Sequence, residues 1–275
     1  MAIFHLSAKP PISRAAGRSA TAAAAYRAGV RIVDGRTAST FDYSRKRGVI
    51  SSRLLIPGSV VLDDRPKFWN DVERHHRRGD AVLAREIVVA LPCELEPAAR
   101  EALVWAFARE ITERFEVAVD CSLHEPSRVG DQRNVHAHLL LSACTVTSQG
   151  VLGKKASSLD PIFCRRNGIP DSVTWLRPRW EALCNEALKG VGSQERVDHR
   201  SNVRRGIALA PSIHVGRGAS ARRRKKANMR RQAIDVALRL NASAMSRLLD
   251  ERRVVEHNNS ARRRAPKQRR VSGAE

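Results

Sequence analysis

The sequence predicts an α+β fold: a central antiparallel sheet with helices on one face, followed by a basic, partly helical tail. Three observations predict it. Residues 135–145 (Val-His-Ala-His-Leu-Leu-Leu-Ser-Ala-Cys-Thr) read as a strand, with Val135, Ala137, Leu139, Leu141 and Ala143 pointing one way and His136 and His138 the other. Residues 116–124 alternate too, with Val117, Val119, Cys121 and Leu123 on an apolar face and Ala118, Asp120, Ser122 and His124 on the other. Between them, residues 125–135 are rich in Pro, Ser, Gly, Asp and Asn, which suits a hairpin connection. Just before them, residues 97–114 form an amphipathic helix with Ala98, Leu103, Phe107 and Ile111 as its spine, a one-sided cover for such a sheet.

The remaining elements follow in chain order. Residues 2–8 read as a strand, stopped by Lys9-Pro-Pro, with Ile3, His5 and Ser7 on one face. Ser19 is a suitable N-cap for an Ala-rich helix, Ala20 to Ala28, which Gly29 closes and whose last turn holds Tyr26. Alanine keeps that helix thin, so a sheet or a nucleic-acid backbone can approach it closely. Residues 30–56 suit irregular strands or a hairpin ending in 50–56. Residues 66–78 suit a helix with Pro near its start, and 84–91 a strand that Pro92 stops and that carries Glu86. The Gly/Ser/Lys-rich residues 148–172 read as a flexible surface excursion. Residues 173–190 suit a helix anchored by Trp175, Trp180, Leu183 and Leu188, and 195–201 a last short strand.

Charge divides the chain. Of the net +22, residues 201–275 carry +15, from 20 Lys/Arg against 5 Asp/Glu. This asymmetry points to a polyanionic partner and places the domain boundary at 203/204: residues 1–203 form the folded domain, and 204–275 a basic extension with a helical segment at 228–255. The five cysteines are scattered and form no Cys-x-x-Cys, as expected of reduced thiols in a cytoplasmic protein. Neither a signal peptide nor an apolar run long enough for a membrane span is present.

The chemistry begins with the histidines. If the two histidine strands pair antiparallel, His124 joins His136 and His138 above the sheet. Three imidazoles then form a divalent-metal site with positions left for substrate. In so basic a protein the matching substrate is a phosphodiester. The nucleophile is then metal-bound water or a side chain. The only tyrosines, Tyr26 and Tyr43, both lie among positive charges, and the residues alone do not choose between them.

Five blocks occurring in order carry a resemblance. They are the opening Met-Ala-Ile-Phe-His-Leu-Ser-Ala-Lys with Gly17-Arg-Ser-Ala-Thr-Ala-Ala-Ala-Ala-Tyr26-Arg27; Phe41-Asp-Tyr43-Ser-Arg-Lys46; Arg85-Glu86-Ile-Val-Val-Ala-Leu-Pro92; His124…His136-Ala-His138; and Val197-Asp-His-Arg-Ser201. Over roughly 1–215 the chain resembles MobA/MobL-type (MobQ-like) mobilisation relaxases of the HUH endonuclease class. The resemblance implies an HUH relaxase fold with about five antiparallel strands. It also implies a single-tyrosine transesterase in which Tyr26 nicks one plasmid strand at a transfer origin through a 5′-phosphotyrosyl link and later rejoins it. His124, His136 and His138 match the family's metal ligands, for Mg²⁺ or Mn²⁺. The implied partners are origin DNA, accessory relaxosome proteins and a coupling protein, without membrane insertion. Glu86 is a candidate base for Tyr26 or an outer partner of a histidine. Arg14, Arg18, Arg27 and Arg200 are candidate phosphate contacts. His5 and His199 also fall in these blocks, without an assigned role. The alternative reading is an HUH-class replication initiator, or a metal-dependent nuclease using water.

Overall fold

The computed structural model describes residues 3–126, 131–206, 213 and 220–264. In chain order its elements are β1 (Leu6–Ala8), β2 (Ile12–Ser13), α1 (Ala20–Ala28), β3 (Arg31–Val33), β4 (Thr40–Asp42), β5 (Val49–Ile56), β6 (Val60–Leu62), α2 (Arg65–His75), β7 (Val82–Ala90), α3 (Pro97–Phe115), β8 (Val119–His124), β9 (His136–Ser142), β10 (Cys144–Val146), β11 (Leu152–Lys155), α4 (Pro161–Arg166), α5 (Ser172–Gly190) and α6 (Ala221–Arg264). Two compact units emerge, Met1–His199 and Arg200–Glu275.

The first unit is built on a seven-stranded sheet in the order β1-β7-β9-β8-β5-β6, with β2 also paired to β7. All its pairings are antiparallel. Two small sheets, β3-β4 and β10-β11, lie outside it. The central pair β8-β9 sets His124 opposite His136 and Ser122 opposite His138. A one-residue slip would send every one of these side chains to the other face. Of the expected connection, residues 127–130 lie outside the described residues.

The sheet has a core on each face. Val117, Val119, Cys121 and Leu123, with Val135, Ala137, Leu139 and Leu141, pack against Leu103, Phe107 and Ile111 of α3 and Trp180 and Leu188 of α5. Phe107 and Trp180 meet at 4.9 Å between ring centroids. Ala118 and Leu140, from the opposite face, join Ala20, Ala24 and Ala25 of α1 and Phe68, Trp69 and Val72 of α2. Helices therefore cover both faces, where the sequence reading placed them on one. The reason is chemical: α1 is nearly all alanine and α2 mostly polar, so neither advertises a broad apolar stripe. Their grip comes from close approach and from aromatic burial, at roughly 1.5–3 kcal/mol for a fully buried Phe-sized side chain. A buried polar tie helps: Asp120 of β8 accepts from Arg65 Nε at 2.9 Å and from Trp69 Nε1 at 2.8 Å.

Two further expectations change. Residues 148–172 are not an irregular excursion, because β11, a short 3₁₀ turn and α4 lie there. Leu152 and Leu159 join the two cores, and Asp160 caps α4 by accepting from Ile162 N at 3.0 Å. A few buried side chains outweigh the polar composition. Residues 195–201 form no strand. Instead Asn185 imitates a strand partner: its Oδ1 accepts from Val197 N at 2.8 Å and its Nδ2 donates to Val197 O at 3.0 Å. The second unit contains α6, which runs beyond 228–255 at both ends and takes in the run Arg222–Lys226, since Arg and Lys are good helix formers. Residues 265–270 of the last basic cluster lie outside the described residues.

Candidate metal centre

Helix α1 ends at the histidines. Ser19 caps it, accepting from Ala22 N at 3.2 Å. Buried Glu73 of α2 accepts from Ala20 N at 2.8 Å, a carboxylate at the positive end of the helix dipole. Gly29 closes the helix at φ 67°, a conformation that suits glycine. This seats α1 against the sheet, with Tyr26 and Arg27 in its last turn.

Three imidazoles converge there. Centroids are 4.8 Å apart for His124–His138, 5.2 Å for His136–His138 and 5.6 Å for His124–His136. One ring nitrogen from each lies within 4.8 Å of the others. Each ring also has an outward partner. His124 Nε2 donates to the Arg27 carbonyl at 2.7 Å, His136 Nδ1 to the Asn134 carbonyl at 3.1 Å, and His138 Nδ1 to Glu86 Oε1 at 2.7 Å. A carbonyl or carboxylate can only accept, so those nitrogens carry the protons. His124 Nδ1, His136 Nε2 and His138 Nε2 are left as lone-pair donors, as metal-binding histidines require. Ser122, opposite His138, has a buried hydroxyl with no hydrogen-bond partner among the described residues. This donor set fits a divalent ion.

Electrostatics agree. Burial, with Lys46 and the neighbouring histidines, pushes His124 down to about 4, and burial also lowers His136. Neutral rings are the form that binds metal. Glu86 is buried, which opposes its ionisation, but hydrogen bonds from His138 and Arg27 prevail and hold it at about 2. Arg27 grips that carboxylate with both arms of its guanidinium, Nε to Oε1 at 2.8 Å and Nη2 to Oε2 at 2.6 Å, and its Nη1 donates to the Ala23 carbonyl at 2.7 Å. A carboxyl so acidic and so fully engaged is a poor proton acceptor and a good anchor for His138.

These values set a pH dependence. His124 titrates at about 4 in the fold against an ordinary 6.5, so the unfolded chain takes up its proton first as pH falls. His124 thus leaves stability intact above about 6.5 and removes roughly 3 kcal/mol as pH drops to about 4. Glu86, about 2 against 4.5, adds a second loss only below 4.5. Urea unfolding of the metal-free protein in EDTA should show the first loss between pH 7 and 4, much reduced in His124→Asn. A flat profile there would contradict a buried neutral His124.

The other expected residues are placed as follows. Tyr26 is 49% exposed and meets Tyr43 edge to face, centroids 5.2 Å apart. Arg14 is turned inward: Nη1 donates to the His76 carbonyl and, at 3.0 Å, to that of Arg78, and Nη2 reaches Glu73 Oε2 at 3.0 Å. Arg27 is buried in its pair with Glu86, whereas Arg18 and Arg200 are exposed. His5 is exposed and outside the histidine cluster, its carbonyl accepting from Ala90 N at 3.2 Å. His199 bonds to Glu181 and meets Phe4 edge to face beside the α3/α5 core. Lys46 is a residue the sequence reading took only as one of the cations beside Tyr43. Its Nζ donates to the Tyr26 carbonyl at 2.6 Å and sits 3.9 Å from the Tyr26 ring centroid. Burial, then Arg27, lowers it to about 8. Its only signal was its place in the block around Tyr43.

No described helix is long and apolar enough to cross a membrane. A family model described as "MobA/MobL family" matches residues 18–225. "Mobilization protein MobL" of Acidithiobacillus ferridurans is 47% identical over 269 residues, covering 90% of this chain and 70% of that protein. "Conjugal transfer protein TraA" of Rhizobium radiobacter is 32% identical over 249 residues, covering 82% of this chain but 22% of that protein. A solved structure described as "Molecular Basis of Vancomycin Resistance Transfer in Staphylococcus aureus" is 28% identical with a TM-score of 0.60, covering 73% of this chain and 100% of that one.

Proposed function

Because this chain belongs to the MobA/MobL family, we propose that it is a conjugative relaxase that nicks and rejoins one strand of plasmid DNA at a transfer origin, with Tyr26 as nucleophile. The observation that carries this reading is the coupling of the metal centre to the tyrosine helix: His124 donates to the carbonyl of Arg27, the residue after Tyr26.

Tyr26 Oη bonds to the scissile phosphorus as the bond from phosphorus to the 3′ oxygen breaks. The phenolic proton leaves to water, which the half-exposed side chain meets, and the 3′ oxygen gains a proton. The product is a 5′-phosphotyrosyl link, and the reverse steps restore the strand. His124, His136 and His138 would hold a divalent ion, which supplies Lewis acidity toward a non-bridging phosphate oxygen. Mg²⁺ or Mn²⁺ suffices for that role, although three imidazoles bind later transition metals more tightly. Glu86 and Arg27 position His138. Arg18 and Arg200 contact phosphates. Residues 1–203 carry the reaction, and 204–275 add sequence-independent affinity for DNA. Origin DNA is the substrate, met in company with accessory and coupling proteins.

The test is covalent capture. The protein is mixed with end-labelled single-stranded DNA spanning its own plasmid's origin, with Mn²⁺ or with EDTA. Label should migrate with the protein on a denaturing gel only when Mn²⁺ is present. Cleavage with no adduct would replace this mechanism by hydrolysis with a water nucleophile.

A further inference from the structure

A second basic feature lies at the other end of β7 from the histidines. A cleft of about 550 Å³ is lined by His75, His76, Arg77, Arg78, Asp80, Ala81 and Val82 on one side and by Gly153, Lys154 and Lys155 on the other. Four permanent cations face one carboxylate. Arg78 pairs with Asp80, and Lys155 with Asp160 outside the lining. Arg77 and Lys154 are exposed, and their side chains have no ion pair or hydrogen bond among the described residues. Opposed free cations on the two walls of one concavity repel each other, a cost that an anion between them would remove.

The cleft is held open by specific contacts. Arg14, in the turn just after β2, covers the carbonyls of Glu73, His76 and Arg78, which reduces the number of bare acceptors that would repel an anion near the C-terminal end of α2. His75 Nε2 donates to the Gly153 carbonyl at 2.8 Å and ties the two walls together. A Cβ at Gly153 would meet Thr145 Oγ1, so a side chain there would have to turn Thr145 aside. Val82 of the cleft and Val88, which pairs with His138, lie on one strand. Six residues of β7 separate them by about 20 Å. That is the length of roughly six stacked nucleotides at about 3.4 Å each.

We propose that this cleft binds the phosphates of the DNA strand about six nucleotides from the scissile position, through Arg77 and Lys154. This rests on the relaxase reading for its strand, but its chemistry is independent of the metal centre. It places a sequence-independent grip on the catalytic unit itself, apart from the basic extension.

The full-length double variant Arg77→Ala/Lys154→Ala tests it with thymidine oligomers of 6 and 16 nucleotides in salt titrations. Loss of two phosphate contacts should weaken 16-mer binding roughly ten- to thirtyfold at 0.1 M salt and lower the salt slope by about 1.4. Binding of the 6-mer, which is too short to engage the cleft and the scissile position together, should fall less than that of the 16-mer. The charge-retaining Arg77→Lys/Lys154→Arg should restore 16-mer binding to within about threefold. Unchanged 16-mer affinity and slope overturn the proposal. So does loss of poly-glutamate binding with 16-mer binding intact, which would assign the cleft to an acidic protein segment. Failure of the charge-retaining pair to restore binding, with a lowered melting temperature in both variants, would make the residues structural. An intact cleft effect in a protein that forms no adduct would leave the cleft standing and remove the relaxase reading.

Discussion

Tyr26→Phe should abolish the covalent DNA adduct, while Tyr43→Phe keeps it. The phenylalanine retains the ring that Lys46 and Tyr43 touch and removes only the attacking oxygen. Binding of origin DNA should therefore change less than about threefold, while nicking falls on the order of 10³-fold or more, as for other lost nucleophiles. Tyr43 packs partly buried beside the α1/α2 core, so Tyr43→Phe preserves its packing. The measurement is adduct yield with matched affinities from fluorescence anisotropy. An adduct persisting in Tyr26→Phe and vanishing in Tyr43→Phe would transfer the nucleophile to Tyr43.

The second large effect concerns Arg27 and Glu86. Each is buried, and each leaves an uncompensated charge when the other is removed. Arg27→Met or Glu86→Leu alone should cost about 3–5 kcal/mol of stability. The double variant should cost clearly less than the sum of the two, and the difference measures their coupling. Metal binding should separate them. Wherever Glu86 is missing, His138 loses its anchor and Mn²⁺ affinity by calorimetry should fall ten- to a hundredfold. In Arg27→Met the carboxylate remains beside His138, so the metal loss should be smaller than the stability loss. Unaltered Mn²⁺ affinity in Glu86→Leu would remove Glu86 from the metal centre's support.

Much of the site was legible because strand parity is rigid. Once Val117, Val119, Cys121 and Leu123 were assigned to a core, His124 had to face the other way, and the same logic placed His136 and His138. The capped alanine helix was equally plain from Ser19 and Gly29. What escaped was long-range and charged. Arg27 and Glu86 are 59 residues apart, and each alone looks like a solvated surface group; only the fold shows them locked together. The same blindness made Arg14 and Arg27 read as phosphate contacts. The second layer of helices was missed because alanines bury little each, and β11 and α4 because a handful of inward side chains was hidden among polar neighbours.

The way α1 is fastened has a mechanical consequence. In the proposed reaction, a strand joined to Tyr26 and placed under tension would pull on the last turn of a nine-residue helix. Such a helix alone would unravel under little load. Here both ends are clamped: Glu73 holds the amide of Ala20, and Glu86, on a strand paired along both edges, holds the guanidinium of Arg27. Tension on the DNA would pass through two carboxylate clasps, one into α2 and one into β7 of the sheet, and the end of the helix that carries the tyrosine would keep its hold on His124.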